Sequence, residues 1–147
     1  MMKQFNNRHG FTLIEIMVVI VILALLAALV GPKIMGRTDD AKIETTKTQI
    51  RSLESALKLY KLDNGVYPST EQGLNSLVTK PTVGVIPKNY KEGGYLESKN
   101  VPKDGWSNDF LYVSPGEHGD YDLYSYGADG AKGGEGKNAD IDSWDLK

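Results

Sequence analysis

From Phe11 to Gly31 the chain is apolar at almost every position, interrupted only by Thr12 and by one carboxylate, Glu15. At about 1.5 Å per residue in a helix, this 21-residue run reaches the thickness of a bilayer's hydrocarbon core. Gly31-Pro32 closes it, and a proline there removes a helical hydrogen bond and kinks or loosens the helix. The pattern then becomes one-sided. Ile43, Ile50, Leu53, Leu57 and Tyr60 step by 7, 3, 4 and 3 and share one helical face, while Lys42, Glu44, Lys47, Arg51, Glu54, Lys58 and Lys61 fall mostly elsewhere. Together the two patterns predict one helix from Phe11 to Leu62. Asp63-Asn64-Gly65 should stop it, because Asn and Gly tolerate the left-handed cap.

The remainder alternates short signals with turn residues. Ser69-Thr70-Glu71-Gln72 reads as a capping box opening a short helix through Val78, stopped by Lys80-Pro81. Residues 82–108 are loop-rich, with glycines at 84, 93, 94 and 105 and prolines at 87 and 102. Phe110–Val113 and Tyr121–Tyr126 are β-prone and joined by a Pro/Gly-containing turn, which predicts a hairpin. Trp106 and Trp144 are expected to be core or helix-packing anchors. The expected fold is α+β: a long N-terminal helix packed on a small head with a short antiparallel sheet. Three regions follow, namely a leader at 1–10, a membrane or filament-core helix at 11–31, and a head at 32–147 that includes the amphipathic half of the helix.

The apolar run gives the chain a direction. Lys3 and Arg8 precede it with no acidic residue between them, so the positive-inside rule keeps the amino end in the cytoplasm and exports the head. A secretory signal cut near Ala27 or Ala28 fits less well, since the run exceeds an ordinary signal core and no clean A-x-A site follows. Glu15 is the anomaly, because a carboxylate in a membrane helix costs roughly 2.5–3.5 kcal/mol on insertion scales and marks a specific partner. A basic leader, Gly10, Phe11 and Glu15 in this spacing resemble the prepilin signature, in which a dedicated prepilin peptidase cuts after the glycine. Cleavage between Gly10 and Phe11 would create an amine one helical turn from Glu15, able to pair with the Glu15 of a neighbouring subunit. The resemblance also implies N-methylation of Phe11, which leaves its charge intact.

Composition narrows the exported part. Removal of Lys3 and Arg8 leaves 15 basic against 19 acidic side chains, so no basic patch recommends a nucleic-acid partner. There is no cysteine, and a small exported head without disulfides would gain from another staple. Outside the leader the only histidine is His118, in the hairpin turn, with no nucleophile and base in evident pairing. An enzyme is therefore not expected.

The staple is sought near the carboxyl end. Asp129-Gly130 opens a glycine-rich stretch that runs to Asp140-Ile141-Asp142. Hard cations want six to eight oxygens, and glycines let backbone carbonyls turn inward while carboxylates close the shell. Asp129 and Asp140 have the separation of the first and last ligands of an EF-hand, with Gly134 at its turn position. Ala131 and Gly133 stand where its acidic ligands belong, however, and β-prone sequence precedes the loop. The residues alone leave a calcium site and a solvated acidic turn both open.

Taken together, several groups of residues resemble the major pseudopilins of bacterial type II secretion systems, within the type IV pilin-like superfamily. They are the leader, Phe11 to Glu15, Pro32, Tyr67 to Leu74, Asp104-Gly105-Trp106, Tyr112, Pro115-Gly116, Gly119, Asp122, Ser125, Gly127 to Gly130, and Asp140-Ile141 with Trp144. The resemblance covers nearly the whole chain. It implies a calcium loop with Asp129 and Asp140 as side-chain ligands and backbone oxygens of Tyr126 and Ala131 in addition. Asp142 stands where relatives often carry another residue, and it is either an extra ligand or a surface charge. The resemblance further implies a homopolymer, the periplasmic pseudopilus, working with minor pseudopilins and an inner-membrane assembly platform to export folded proteins. Type IV pilins of surface fibres are the nearest alternative; many staple this end with a disulfide that this chain cannot form.

Overall fold

A computed structural model describes residues 10–146, without the side chains of residues 29–36. Expectations for the leader before Gly10, and for the side chain of Pro32, lie outside the described residues. The chain divides into two compact units, Met1–Thr38 and Asp39–Lys147.

One helix, α1, is assigned over Leu13–Asn64, close to the expected Phe11 to Leu62, and the assignment is continuous through Pro32. It ends as its sequence dictates. The Asn64 side chain donates back to the Tyr60 carbonyl at 3.0 Å, and Gly65 takes a φ of 80°. In the first unit the large apolar side chains described on the helix are exposed, from Leu13 at 82% to Ile16 at 46%. Described side chains in this run stop at Ala28, so among the described residues no helix is long and apolar enough to cross a membrane. The expected span of 11–31 ends beyond them.

In the second unit the predicted stripe becomes a core. Ile50, Leu53 and Leu57 are fully buried and Tyr60 nearly so, against Leu77, Leu123 and the rings of Tyr95, Phe110 and Tyr112. Ile43 packs at the edge of the cluster. The expected helix from Ser69 to Val78 is not formed. The capping box closes, with Ser69 N donating to Gln72 Oε1 at 3.0 Å and Gln72 N to Ser69 Oγ at 3.3 Å. It closes only a turn, because Gly73 adopts φ 60° and breaks the backbone before a four-residue 3-10 helix at Leu74–Leu77.

The hairpin forms as expected. Strand β1, Leu111–Val113, pairs antiparallel with β2, Asp122–Ser125, with Tyr112 opposite Leu123. A third strand, β3 at Ile141–Asp142, joins the other edge of β2 with Ser125 opposite Ile141. Two residues are too short a run to show a period, so β3 is invisible in the pattern. The two tryptophans part company. Trp106 packs against the core, but Trp144 does not; it is half-buried and stacks on His118 with ring centroids 3.9 Å apart and planes within 8°. That corrects the expectation of Trp144 as a core or helix-packing anchor: at the end of the sheet it lies between the imidazole of the hairpin turn and the edge of the Tyr124 ring, outside the core cluster.

Candidate assembly segment and cation loop

Two features carry chemistry, one in each unit. In the first, α1 begins on a capping box of its own. Thr12 N and Oγ1 donate to Glu15 Oε2 at 2.8 and 2.9 Å, and Glu15 N donates to Thr12 Oγ1 at 3.4 Å. The carboxylate that an intersubunit pairing would use is thus held, in the single chain, by its own helix start. Around it Ile14, Met17, Val18, Val21 and Ile22 line an apolar groove on the helix surface. Phe11, which cleavage would make the first residue, is exposed. Among the described residues of its unit, this exposed apolar helix with one capped carboxylate has nothing to bury itself against.

In the second unit the glycine-rich loop leaves β2 and returns as β3. It opens with a 3-10 turn at Gly127–Asp129, passes a left-handed Gly130, and closes with a second 3-10 turn at Gly136–Asn138. Tyr126 immediately precedes the first turn. Asp129 Oδ1 accepts from Ala131 N at 3.1 Å, and both oxygens of Asp140 accept from Gly133 N at 3.0 Å. Asp142 lies on β3 opposite Tyr124. Burial first, then the carboxylates of Asp140 and Asp145, push the Asp142 carboxyl up from its ordinary value. Asp140, Asp142, Tyr124, Tyr126, His118 and Trp144 share the lining of one open cavity of about 510 Å³.

Whether this loop suits a cation depends on its oxygens. Among the described residues no three His, Cys, Asp or Glu side chains converge as a metal-binding group. A cation here would therefore have to draw on backbone oxygens as well. Carbonyls do crowd the loop: a Cβ at Gly127 would meet Ala139 O at 2.7 Å and Lys137 O at 2.8 Å, and one at Gly134 would meet Asn138 O at 2.5 Å. Asp129 and Asp140 each accept from a backbone N–H of the loop, and the donors the loop offers are oxygens, which is the chemistry of a hard cation rather than of a softer metal.

The Asp104-Gly105-Trp106 triplet carries part of the resemblance, but the sequence assigns Asp104 no role. Asp104 is buried, and its carboxylate accepts from Trp106 N at 2.9 Å, Asn108 N at 2.8 Å and Ser125 Oγ at 2.7 Å. The signal lay in the Asp104-Gly105-Trp106 triplet, a turn-forming aspartate before glycine, which the pattern marked only as loop. In the hairpin turn Asp122 accepts from Glu117 N and His118 N at 2.9 and 3.1 Å and meets His118 Nδ1 at 3.0 Å. Burial opposes ionisation of Asp122, but these bonds outweigh it and hold the carboxyl below its ordinary value.

Two family models match the two parts of the chain. The model described as type II secretion system protein G matches residues 33–144, and the prokaryotic N-terminal methylation motif matches residues 5–31. The chain belongs to the type II secretion system protein G family. A core protein G of that system from Vibrio cholerae is 51% identical over 146 residues, covering 99% of this chain and 98% of that one. The Pseudomonas aeruginosa protein of the same name is 54% identical over 142 residues, covering 97% and 99%. The crystal structure of the major pseudopilin from the type 2 secretion system of enterohaemorrhagic Escherichia coli aligns with TM-score 0.65 at 42% identity. That alignment covers 75% of this chain and 92% of the solved one. The expected pilin-like α+β fold and the resemblance both hold. Protein G pseudopilins are structural components of a secretion system, and the methylation motif spans both Gly10 and Glu15.

Proposed function

We propose that this chain, by family a pseudopilin of the type II secretion system, is the repeating subunit of a periplasmic pseudopilus and polymerises through residues 11–31. One observation carries the reading: the side chains of Leu13 to Leu26 present an exposed, largely apolar helix surface that nothing covers among the described residues of their unit. Prepilin peptidase cuts after Gly10, and Phe11 is N-methylated. In the filament the Phe11 amine of one subunit pairs with Glu15 of the next, displacing the bonds from Thr12, and so sets register. Before assembly the chain is a single-pass inner-membrane protein with a cytoplasmic amino end and a periplasmic head. Minor pseudopilins and the inner-membrane platform are its partners, and the outcome is export of folded proteins across the outer membrane. The hydrogen bond that Pro32 cannot donate lets the helix adjust there during assembly.

The head carries calcium on the side chains of Asp129 and Asp140 and the backbone oxygens of Tyr126 and Ala131, with Asp142 adding negative charge beside them. Bound calcium supplies the positive charge that balances these oxygens. Extracellular sites of this kind bind with Kd of about 10⁻⁴–10⁻³ M, so they fill only after export.

The absence of cysteine gives a clean test of polymerisation. Cysteines at both Ile14 and Val21, two turns apart on the same groove, give each subunit two thiols and should yield an oxidised ladder of cross-linked subunits in secreting cells, together with an N-terminal mass matching methylated Phe11. Monomer alone under the same oxidation would contradict the reading.

A further inference from the structure

Asp104 lies in a turn to which neither assembly nor the cation loop has yet given a role. The residue is 6% exposed, and the three donors to its carboxylate carry no charge: two backbone N–H groups and the Ser125 hydroxyl. A buried carboxylate is costly unless such bonds are complete, so this turn is specified tightly. Two of the donors belong to residues that reach onward to Gly127. Ser125 Oγ accepts from Gly127 N at 3.1 Å, and Asn108 Nδ2 donates to Gly127 O at 3.0 Å. Both backbone polar groups of Gly127 are therefore held by partners of Asp104. The other side of Gly127 is closed as well, by the Lys137 and Ala139 carbonyls that lead into Asp140. The turn is itself fixed to α1: Gly105 N donates to the fully buried Thr46 Oγ1 at 2.9 Å, and a Cβ at Gly105 would collide with the Lys42 backbone.

We propose that Asp104 is the positioning residue of the cation loop. Through Ser125 and Asn108 it pins Gly127 between the 104–108 turn and the 137–139 segment. That sets Tyr126 and Asp129 on one side, and Asp140 on the other, at a fixed spacing. Through Gly105 and Thr46 the spacing is referred to α1, and the Lys137–Asp39 pair, at 3.5 Å, gives the loop a second tie to the same helix. The inference rests on the calcium reading. Groups that orient metal ligands without touching the metal typically change affinity by about 10–100-fold when removed.

The full-length chain in detergent micelles is titrated with calcium by calorimetry and melted in calcium and in chelator. Ser125→Ala removes the link between Asp104 and Gly127 while leaving the turn's two N–H bonds, and should weaken calcium binding about 10-fold or more. Asp104→Asn should weaken it further, and in both variants the calcium-induced rise in melting temperature should shrink. A purely structural anchor behaves differently: it lowers melting equally with and without calcium and leaves Kd unchanged. Ser125→Ala binding calcium within about threefold of the parent, with the same calcium-induced rise, would overturn the proposal. If Asp104→Asn does not fold, Ser125→Ala and Asn108→Ala decide the matter. A parent chain that gives neither heat nor a melting shift with calcium overturns the calcium reading and this inference together; a parent that responds and variants that respond alike sink only the inference.

Discussion

Residues 14–22 and residues 50–60 are both helical and both rich in leucine, isoleucine and valine or their equivalents, yet they solve opposite problems. Ile14, Met17 and Val21 are 58–68% exposed, whereas Ile50, Leu53 and Leu57 are fully buried. Residues 14–22 are apolar at every position but Glu15, whereas residues 50–60 set Arg51, Glu54 and Lys58 between the apolar positions, so only the second segment has a polar side. A stripe that recurs every three or four residues can be covered by a single head, and here Leu77, Leu123 and Phe110 are among the residues that cover it. A surface that is apolar all round cannot be covered that way, and at roughly 25 cal/mol per Å² it drives association with lipid or with other copies. The first region encodes partners; the second encodes stability.

Core truncation should separate the two most sharply. Leu57→Ala should destabilise the head by about 2–5 kcal/mol in chemical unfolding, while Val18→Ala should leave its midpoint in place. Equal effects would erase the distinction. Gly105→Ala tests the contact between the 104–108 turn and α1: its Cβ has no room beside Lys42, so a loss of about 1–3 kcal/mol is expected without any change in apolar burial.

A gentler probe is alkaline pH. Tyr112 donates to the Pro68 carbonyl at 2.8 Å, and burial pushes its phenol up to about 12. An unfolded tyrosine ionises near pH 10, so the folded value is the higher one. The stability from this group is then whole below pH of about 10 and lost as pH climbs towards the folded value. Burial, then Glu54, raises Tyr121 as well. The head should weaken over that range in circular dichroism, and Tyr112→Phe should move the onset upward. Least of all, Lys61→Ala removes a solvent-exposed pair with Asp120 at 2.8 Å and should leave the melting temperature within error.

Much of this was legible because it is periodic or local. The apolar run, the stripe from Ile50 to Tyr60, the Asn64-Gly65 stop and the hairpin each announce themselves within a few residues. What escaped depends on residues far apart in sequence. β3 is two residues long and exists only because β2 has a free edge. The box at Ser69 and Gln72 was read correctly, but the helix expected after it was not, because Gly73 outweighs it. Trp144 was taken for a core residue since nothing in the sequence places it beside His118. Asp104 looked like one more loop aspartate, and its burial follows from three donors, of which Ser125 lies twenty-one residues away. At the candidate sites, Glu15 was singled out from its cost in an apolar run, whereas its bonds to Thr12 were not foreseen.

If the exposed helix serves other copies of this chain and Glu15 sets their register, removing that carboxylate should abolish assembly without harming insertion. Replace Glu15 with leucine in secreting cells and follow membrane insertion, cross-linking through paired cysteines at Ile14 and Val21, and export. The account predicts that insertion persists or improves while the ladder of subunits and the export of substrate are lost; an intact ladder with normal export would contradict it.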